Sequence, residues 1–418
     1  MITIGIDDTD SEKGLCTTYL AAEMMDRLCN VGTIVGRPKL VRLNPCVQFK
    51  TRGNAAIAFS LETNKIEKTK EIALNTLMDL SDFSGPNTNP GLVIAEKIVP
   101  ELSEFYERAL NEILNISEAK EIIERHGLWA KGFKNKRGLI GALAAIGAKF
   151  PDYTYELLTY RMPSNWEIPR EIDEASVWKA DEKTYPLTWD TVDHHNHKVV
   201  FAPHSSDPVL FGIRGDDYEA LEMALSTIRS EPWERKVTYK TNQGTDAHIN
   251  VGQISNIEED RSYKLQGAVY KEPKVIEGGH LFFQLSSENN KSSVKCAAFE
   301  PTKNFRELIK KLVLGDEIEV YGAVKKGTLN LEKINVLRLA ERIKLVAPVC
   351  PKCGRRMKSA GRNQGYRCKR CGTKAKDKVK EILPREFDIG FYEVPPCARR
   401  HLSKPLLRMK GEKIHPSR

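Results

Sequence analysis

Met1-Ile2-Thr3-Ile4-Gly5-Ile6-Asp7-Asp8-Thr9-Asp10-Ser11 decides the reading of this chain. Ile2, Ile4 and Ile6 alternate with Thr3 and Gly5, the period-two pattern of a strand with one buried face. The strand runs into three carboxylates within four residues, then Gly14 and the hydroxyl pair Thr17-Thr18. Beyond them Leu20, Met24 and Leu28, flanked by Ala21 and Met25, repeat at helical spacing. Strand, acidic turn, glycine and helix start gather hard oxygen ligands and free backbone N–H groups at one spot, which suits Mg²⁺ and phosphate together. A single aspartate after a strand is most often a cap. Three so close repel one another unless a cation compensates. The chain has no Gly-x-x-x-x-Gly-Lys-Ser/Thr stretch, so a nucleotide site here is not a P-loop.

At the other end, Cys350-Pro351-Lys352-Cys353 and Cys368-Lys369-Arg370-Cys371 form two Cys-x-x-Cys knuckles with fourteen residues between them. Each knuckle aims two thiolates at one point, and two knuckles complete a tetrahedral S₄ site for structural Zn²⁺. Gly354 and Gly372 follow each second cysteine, where the backbone must turn. Cys16, Cys29, Cys46, Cys296 and Cys397 lack ligand spacing, and Cys16 reads as a small buried residue rather than a nucleophile. From Val346 to Arg418 there are 20 Lys and Arg against 6 Asp and Glu, whereas the whole chain carries 65 against 56. The basic excess is therefore confined to one terminal module of net +14, the footprint of a surface facing a polyanion. Tyr366 sits among Arg362, Arg367, Lys369 and Arg370, with Phe391 and Tyr392 beyond, a mixture that suits stacking of unpaired bases.

A length of 418 residues allows three or four domains. No apolar run reaches the roughly 20 residues of a membrane span. A strand begins at once, without a signal peptide, and thiol clusters that read as metal sites suit a reducing cytoplasm, so no membrane partner is expected. Val31–Leu43 and Ala55–Phe59 read as strands. The loop between them holds Lys50-Thr51-Arg52-Gly53-Asn54, able to hold phosphates or a base edge. Residues 66–80 read as an amphipathic helix and Leu92–Ala95 as a strand. The basic glycine loop Lys131–Gly138 opens an apolar helix whose N-terminus attracts anions. Strands at 153–161 and 209–215 with a helix at 217–228 suggest an α+β, ferredoxin-like sandwich over residues 113–250. Asp193-His194-His195-Asn196-His197 reads as a solvated loop. Residues 251–345 read as five short strands with one helix between the third and fourth, the order of an OB-fold β-barrel.

Taken together, several marks give the chain a close resemblance to the archaeal isoleucine-tRNA 2-agmatinylcytidine synthetase family over essentially its whole length. They are Gly5–Ser11, Lys50–Asn54, Arg137-Gly138-Leu139-Ile140-Gly141-Ala142, Ala202-Pro203-His204, Asp207-Pro208-Val209-Leu210, Gly212-Ile213-Arg214-Gly215 and the terminal cysteines. The resemblance implies a multidomain α+β protein. A kinase-like α/β catalytic domain would span residues 1–112 and a ferredoxin-like domain 113–250. An OB-fold would follow over 251–345 and a C-terminal zinc ribbon with basic tail over 346–418. It implies an ATP-dependent ligase that activates O2 of the wobble cytidine of isoleucine tRNA, bearing a CAU anticodon, and attaches agmatine at C2, so that the tRNA decodes AUA. It also implies self-phosphorylation at Thr18.

The residues then take expected roles. Asp7, Asp8 and Asp10 would hold Mg²⁺ and, with Thr18, form the catalytic group. Ser11, Gly14, Thr17, Lys50, Thr51, Arg52, Gly53, Asn54, Arg137 and Gly138 would line the ATP phosphates. Agmatine is a dication and calls for carboxylates, for which Asp207 beside His204, and Asp217, are candidates. Cys350, Cys353, Cys368 and Cys371 would hold zinc. A non-catalytic single-strand-binding protein made of barrel and ribbon is the competing reading, and a small-molecule nucleotide kinase a third. The binder has no use for a clustered aspartate turn, and the kinase none for a cationic terminal module.

Overall fold

The computed structural model describes residues 1–418 except 12, 13, 51, 52, 206, 288–290 and 412. Thr51 and Arg52 of the expected phosphate loop thus lie outside the described residues.

Strand β1 (Ile2–Asp7) forms as expected, but both of its faces are buried. Gly5 is the reason: a Cβ there would sit 2.2 Å from the Ala142 carbonyl oxygen, so the missing side chain admits a second layer of helix onto the strand. On either side of β1 run β2 (Thr33–Arg42), β3 (Ala55–Glu62), β4 (Gly91–Ala95) and β5 (Trp129–Gly132), in the antiparallel order β5-β4-β1-β3-β2. Helices α1 (Thr17–Leu28) and α2 (Ile66–Asp79) share a core with Ile2, Ile4, Ile6, Ile57 and Phe59. Helices α3 (Pro100–Asn111), α4 (Ile116–Arg125) and α5 (Gly138–Gly147) share another with Val41, Ala58 and Val93. The sheet faces alternate as a period of two requires.

The sheet does not end there. β6 (Thr154–Arg161), α6 (Glu174–Thr184), β7 (Thr188–Trp189), a small pair β8 (Val192–Asp193) and β9 (Lys198–Val199), β10 (Val209–Gly215), α7 (Tyr218–Thr227) and β11 (Trp233–Thr241) follow. They extend it as β11-β6-β10-β7. The halves join through a parallel pairing of β2 with β11, Lys39 opposite Lys240 and Leu40 opposite Thr241. One nine-stranded sheet thus crosses the sequence-based boundary at residue 112, with β5 and α5 completing the first half.

After β12 (Ile249–Val251), the strands β13 (Ser262–Val275), β14 (Leu281–Ser286) and β15 (Ser293–Ala298), the helix α8 (Asn304–Ile309), then β16 (Glu317–Lys325) and β17 (Thr328–Arg338) follow. They close a ring β13-β14-β15-β17-β16-β13 around an apolar interior that includes Leu265, Phe283, Phe305 and Ile334. A two-stranded stalk, β18 (Arg342–Val346) with β22 (Val379–Leu383), carries the three short strands β19 (Lys358–Ser359), β20 (Tyr366–Arg367) and β21 (Lys374–Ala375).

The chain then returns. β23 (Gly390–Glu393) pairs with β17, and β24 (Ile414–His415) with β23. This corrects the expectation of a single cationic terminal module. Arg399 is buried against Asp190 and Glu393, Arg408 pairs with Asp152 and Asp216, and Arg418 reaches Asp181. Lys404 donates to Asp152, and its N–H to Asp246, whose carboxylate also holds buried Lys333 at 2.6 Å. Those cations hold the tail to the body. Tyr392 is likewise buried, stacked on His415 at 4.4 Å between centroids, and Tyr366 packs beside the ribbon cysteines, so neither ring stands free among the cations. The Asp193–His197 loop is also tied down: Asp193 is fully buried and accepts from Asn196, and His194 Nε2 lies 2.8 Å from Asp181.

Candidate active site

The acidic turn is built by its own backbone. Asp8 lies at φ +58°, and its carbonyl accepts from Asn89 N–H at 3.1 Å. Gly14, at φ +118°, occupies a region that suits glycine, and Ser11 N–H donates to Leu15 O at 3.1 Å to close the loop. Asp10 then ties turn to helix. Its Oδ1 accepts from Thr17 N–H at 2.6 Å and from the Thr17 hydroxyl at 2.8 Å, satisfying a free N–H at the start of α1. Buried Thr9 adds a hydroxyl bond to Thr17 at 3.0 Å.

Helix α5 approaches the same turn from the other face. A Cβ on Gly138 would meet the Asp7 and Asn89 carbonyl oxygens at 2.7 Å, and one on Gly141 would overlap the Asp7 carboxylate. Arg137, directly before α5, donates from Nη2 at 2.9 Å and Nε at 3.1 Å to Asp8 Oδ2, and its guanidinium lies 5.5 Å from the Phe49 ring. Burial, then the Asp8 and Asp10 charges, push the Asp7 carboxyl well above its ordinary range. Burial likewise raises Asp8 to about 6, against the pull of Arg137.

A cavity of about 360 Å³ opens on this cluster. Asp7, Asp8, Asp10, Thr17, Lys50, Gly53, Asn54 and Arg137 line it together with apolar Leu43, Phe49, Ile113 and Ile140. A second cavity, of about 380 Å³, shares Asp10, Thr17 and Gly53 with the first and adds Thr18, Glu156, Asp207, Arg214 and His401. Asp10 and Thr17 are thus a wall common to both.

Thr18 faces the second cavity. Its hydroxyl lies 3.3 Å from Cys16 Sγ, and its carbonyl accepts from the Tyr239 hydroxyl at 3.0 Å. Tyr239 is in turn 3.1 Å from the buried Tyr160 hydroxyl. Burial pushes the Cys16 thiol up to about 12, so it stays protonated and packs, as its sequence context suggested. Deeper in the cavity Glu156 lies between Arg42 at 3.3 Å and Arg214 at 3.2 Å, and their charges hold its carboxyl low despite burial. His401 Nδ1 contacts Arg214 at 3.1 Å and Gln243 at 3.0 Å, and burial next to those cations keeps the ring neutral.

Of the agmatine candidates, Asp207 lines the second cavity, where it accepts from Val209 N–H at 2.7 Å and lies 3.6 Å from Arg170. Exposed His204 is outside that lining, and Asp217 caps α7 by accepting from Ala220 N–H at 2.8 Å. Ser11 and Gly14 shape the turn without lining either cavity, whereas Gly138 seats α5. Sequence reasoning missed Arg42, Glu156, Arg214 and His401 as one cluster. Of the first three only Arg214 carried a signal, as the lone charge in the run 209–215, since Arg42 shares its run with Arg37 and Lys39 and Glu156 shares one with Arg161. His401 gave none.

The four ribbon thiols converge. Cys350 and Cys371 Sγ are 3.3 Å apart, Cys353 and Cys368 3.4 Å, and Cys353 and Cys371 3.9 Å. A tetrahedral site with Zn–S near 2.3 Å has sulfur–sulfur edges of about 3.8 Å, so the donor set and its spread fit zinc. The knuckles are near copies: Gly354 and Gly372, both at positive φ, donate to Cys350 and Cys368 carbonyls at 2.9 and 3.0 Å.

The chain resembles known proteins over its whole length. Residues 3–135 match the TiaS TCKD domain, 136–248 the TiaS FLD domain and 347–387 the TiaS C-terminal zinc ribbon domain. The chain is 49% identical over 427 residues to the tRNA(Ile2) 2-agmatinylcytidine synthetase TiaS of Methanosarcina mazei, covering 99% of this chain and 100% of that one. It is 46% identical over 417 residues to the protein of that name from Archaeoglobus fulgidus, covering 99% of both. Among solved structures, the TiaS–tRNA(Ile2)–ATP complex superposes with a TM-score of 0.94 at 46% identity, covering 100% of this chain and 99% of that chain. The TiaS–tRNA(Ile2)–AMPCPP–agmatine complex does so with 0.91 at 42%, over the same shares.

Proposed function

The chain belongs to the tRNA(Ile2) 2-agmatinylcytidine synthetase (TiaS) family, and from that premise we propose how its own residues join agmatine to the wobble cytidine of isoleucine tRNA at the expense of ATP. The observation that carries the reading is the shared wall. Three aspartates face one cavity, and Asp10 and Thr17 separate it from a second that holds Thr18 and a set of paired charges. A donor and an acceptor can therefore meet across one turn.

In this reading ATP occupies the first cavity. The base stacks among Leu43, Phe49 and Ile113, and the phosphates lie toward Arg137, Lys50 and the start of α5. Asp7, Asp8 and Asp10 fit a divalent cation: their carboxyls are hard donors, and Asp7 is buried with two like charges and a raised pKa. Magnesium bound there would offset phosphate charge. Arg137 holds Asp8 in place and adds a cation to the same face. Thr18, on the far side of the wall, is placed to receive the phosphoryl group as the resemblance implies.

The flipped cytidine and agmatine enter the second cavity. Phosphorylation of O2 turns a poor leaving group into a good one. The agmatine amine then forms the C2–N bond and loses a proton, while the C2–O2 bond breaks and phosphate departs with that oxygen. Asp207 and Glu156 are the carboxylates that suit a guanidinium or ammonium group, with His401 as a neutral polar contact.

The strand order β11-β6-β10-β7 under α6 and α7 supports a ferredoxin-like second module, and the ring β13-β14-β15-β17-β16 supports an OB-fold. The TCKD match ends at residue 135, so the kinase-like module runs past residue 112 to include β5, while α5, which packs on the same half of the sheet, opens the FLD match. The ribbon, residues 346–387, has thirteen basic residues against three acidic ones, which suits a grip on the anticodon arm. No helix among the described residues is long and apolar enough to cross a membrane, and a cytoplasmic site of action is proposed.

ATP consumption measured with and without tRNA(Ile2) and agmatine tests the reading. Dependence on both is expected. Consumption indifferent to either favours the small-molecule kinase, and none at all favours the non-catalytic binder.

A further inference from the structure

A third cavity, of about 300 Å³, lies where the Pro45–Asn54 loop, the rim of the five-stranded ring and the returning tail meet. Its lining holds Arg42, Lys50, Lys325, Arg400 and His401, with the amides of Asn54 and Asn330, and no carboxylate among the described residues. Arg42 and Arg400 lean on Glu156 and Glu332, which stand behind the lining and are not part of it. Lys50 donates only to the Pro45 carbonyl oxygen, and Lys325 forms no ion pair among the described residues. Although the Lys50 side chain still reaches solvent, partial burial and then the charges of Arg400 and Lys325 hold its ammonium below the ordinary value. These cations converge with no anion between them, and two side-chain amides complete the walls. Such a lining suits a tetrahedral oxyanion.

We propose that this cavity is a phosphate-group site, separate from the nucleotide cavity and joined to it through Lys50, Gly53 and Asn54. The inference rests on the proposed function for what would arrive there. Two sources carry the chemistry: a phosphodiester of the bound tRNA beside the extruded base, and the phosphate that departs with O2. Lys325 and Asn330 are the contribution of the β16–β17 edge of the ring to this lining, so the site couples the ring to the catalytic turn.

The test uses the full-length protein with Lys325→Ala, Lys325→Arg and Asn330→Asp, the last a near-isosteric change that introduces a carboxylate. Affinity for tRNA(Ile2) is measured across a salt series, alongside inhibition of turnover by inorganic phosphate. If a tRNA phosphodiester is the ligand, Lys325→Ala and Asn330→Asp weaken tRNA binding about tenfold, the Lys325→Ala salt slope falls by nearly one, and Lys325→Arg restores both. If the leaving phosphate is the ligand, tRNA binding is unchanged and phosphate inhibition weakens in Lys325→Ala and Asn330→Asp. Variants that fold, match wild type in both measurements and leave wild-type turnover dependent on tRNA overturn the site alone. Wild-type turnover that ignores tRNA overturns the functional reading beneath it.

Discussion

Gly141→Ala tests the geometry of the acidic turn with one methyl group. Gly141 lies in the first turn of α5, where alanine favours the helix by about 1 kcal/mol over glycine. On propensity alone the variant gains stability. The structure predicts otherwise, because the new Cβ would sit 1.9 Å from Asp7 Oδ2 and 2.4 Å from Asp7 Cγ, where ordinary contact begins at 3.4 Å. The carboxylate must therefore move by more than an ångström. Relief by a side-chain rotation limits the cost of overpacking to about 1 kcal/mol, at the low end of its range, so the melting temperature changes little. Turnover is another matter. Displacing a ligating carboxylate by about 1 Å costs on the order of a hundredfold.

Gly147→Ala is the control. Its Cβ would sit 1.9 Å from the Leu102 carbonyl oxygen, which is helix backbone and cannot rotate away, but it touches nothing in the cavity. That variant should lose about 1–3 kcal/mol of stability and keep its kcat at temperatures where it is folded. Thermal melts and tRNA-dependent ATP consumption on both variants give the answer. Wild-type turnover in folded Gly141→Ala would refute the claim that Asp7 is a positioned ligand.

Further outcomes follow from the same geometry. Asp7 and Asp8 titrate above their unfolded values, so cation-free protein is most stable below about pH 4 as far as these groups are concerned and loses the Asp8 contribution as pH rises through about 6; Mg²⁺ with ATP should raise the melting temperature much more at pH 7.5 than at pH 5. Turnover should fall as pH drops through about 6, and Asp8→Asn should abolish it while tRNA still binds. Replacing residues 347–378 by a short linker, which keeps Arg385 on buried Asp316 and Phe387 in the ring's core, or stripping zinc should weaken tRNA binding and flatten its salt dependence, with the body still folded. Truncation after residue 387 should instead destabilise the body by at least ~3 kcal/mol, since it strands buried Asp190 without Arg399 and strips β23 from β17; thermal melts distinguish the two deletions. Tyr239→Phe, which removes the hydroxyl donor to Thr18, should slow phosphate incorporation at Thr18 while leaving affinity for ATP unchanged, read by phosphopeptide mass and nucleotide titration.

Features set by neighbouring residues were legible in the sequence. The alternation of Ile2, Ile4 and Ile6 marked β1, the Cys-x-x-Cys pairs marked the ribbon, and five strand runs with one helix gave the order of the ring. What escaped was set by contacts far apart in the chain. Gly5 gave no sign that it admits α5, so β1 looked half-exposed. Arg42, Glu156, Arg214 and His401 come from three strands and the tail, and no spacing foretells their meeting. The terminal charge count was correct, but it could not tell ribbon cations that reach outward from tail cations such as Arg399 and Arg408 that are spent on carboxylates of the body. Asp217 looked like a free carboxylate because its role as a helix cap depends on where α7 begins.

The most direct test of the central claim is nucleoside mass spectrometry of tRNA(Ile2) after incubation with ATP, Mg²⁺, agmatine and either wild-type protein or Asp8→Asn. Wild type should convert the wobble cytidine to a nucleoside heavier by agmatine less one water, and Asp8→Asn should leave cytidine intact while still binding the tRNA. Conversion by Asp8→Asn at the wild-type rate would contradict the account.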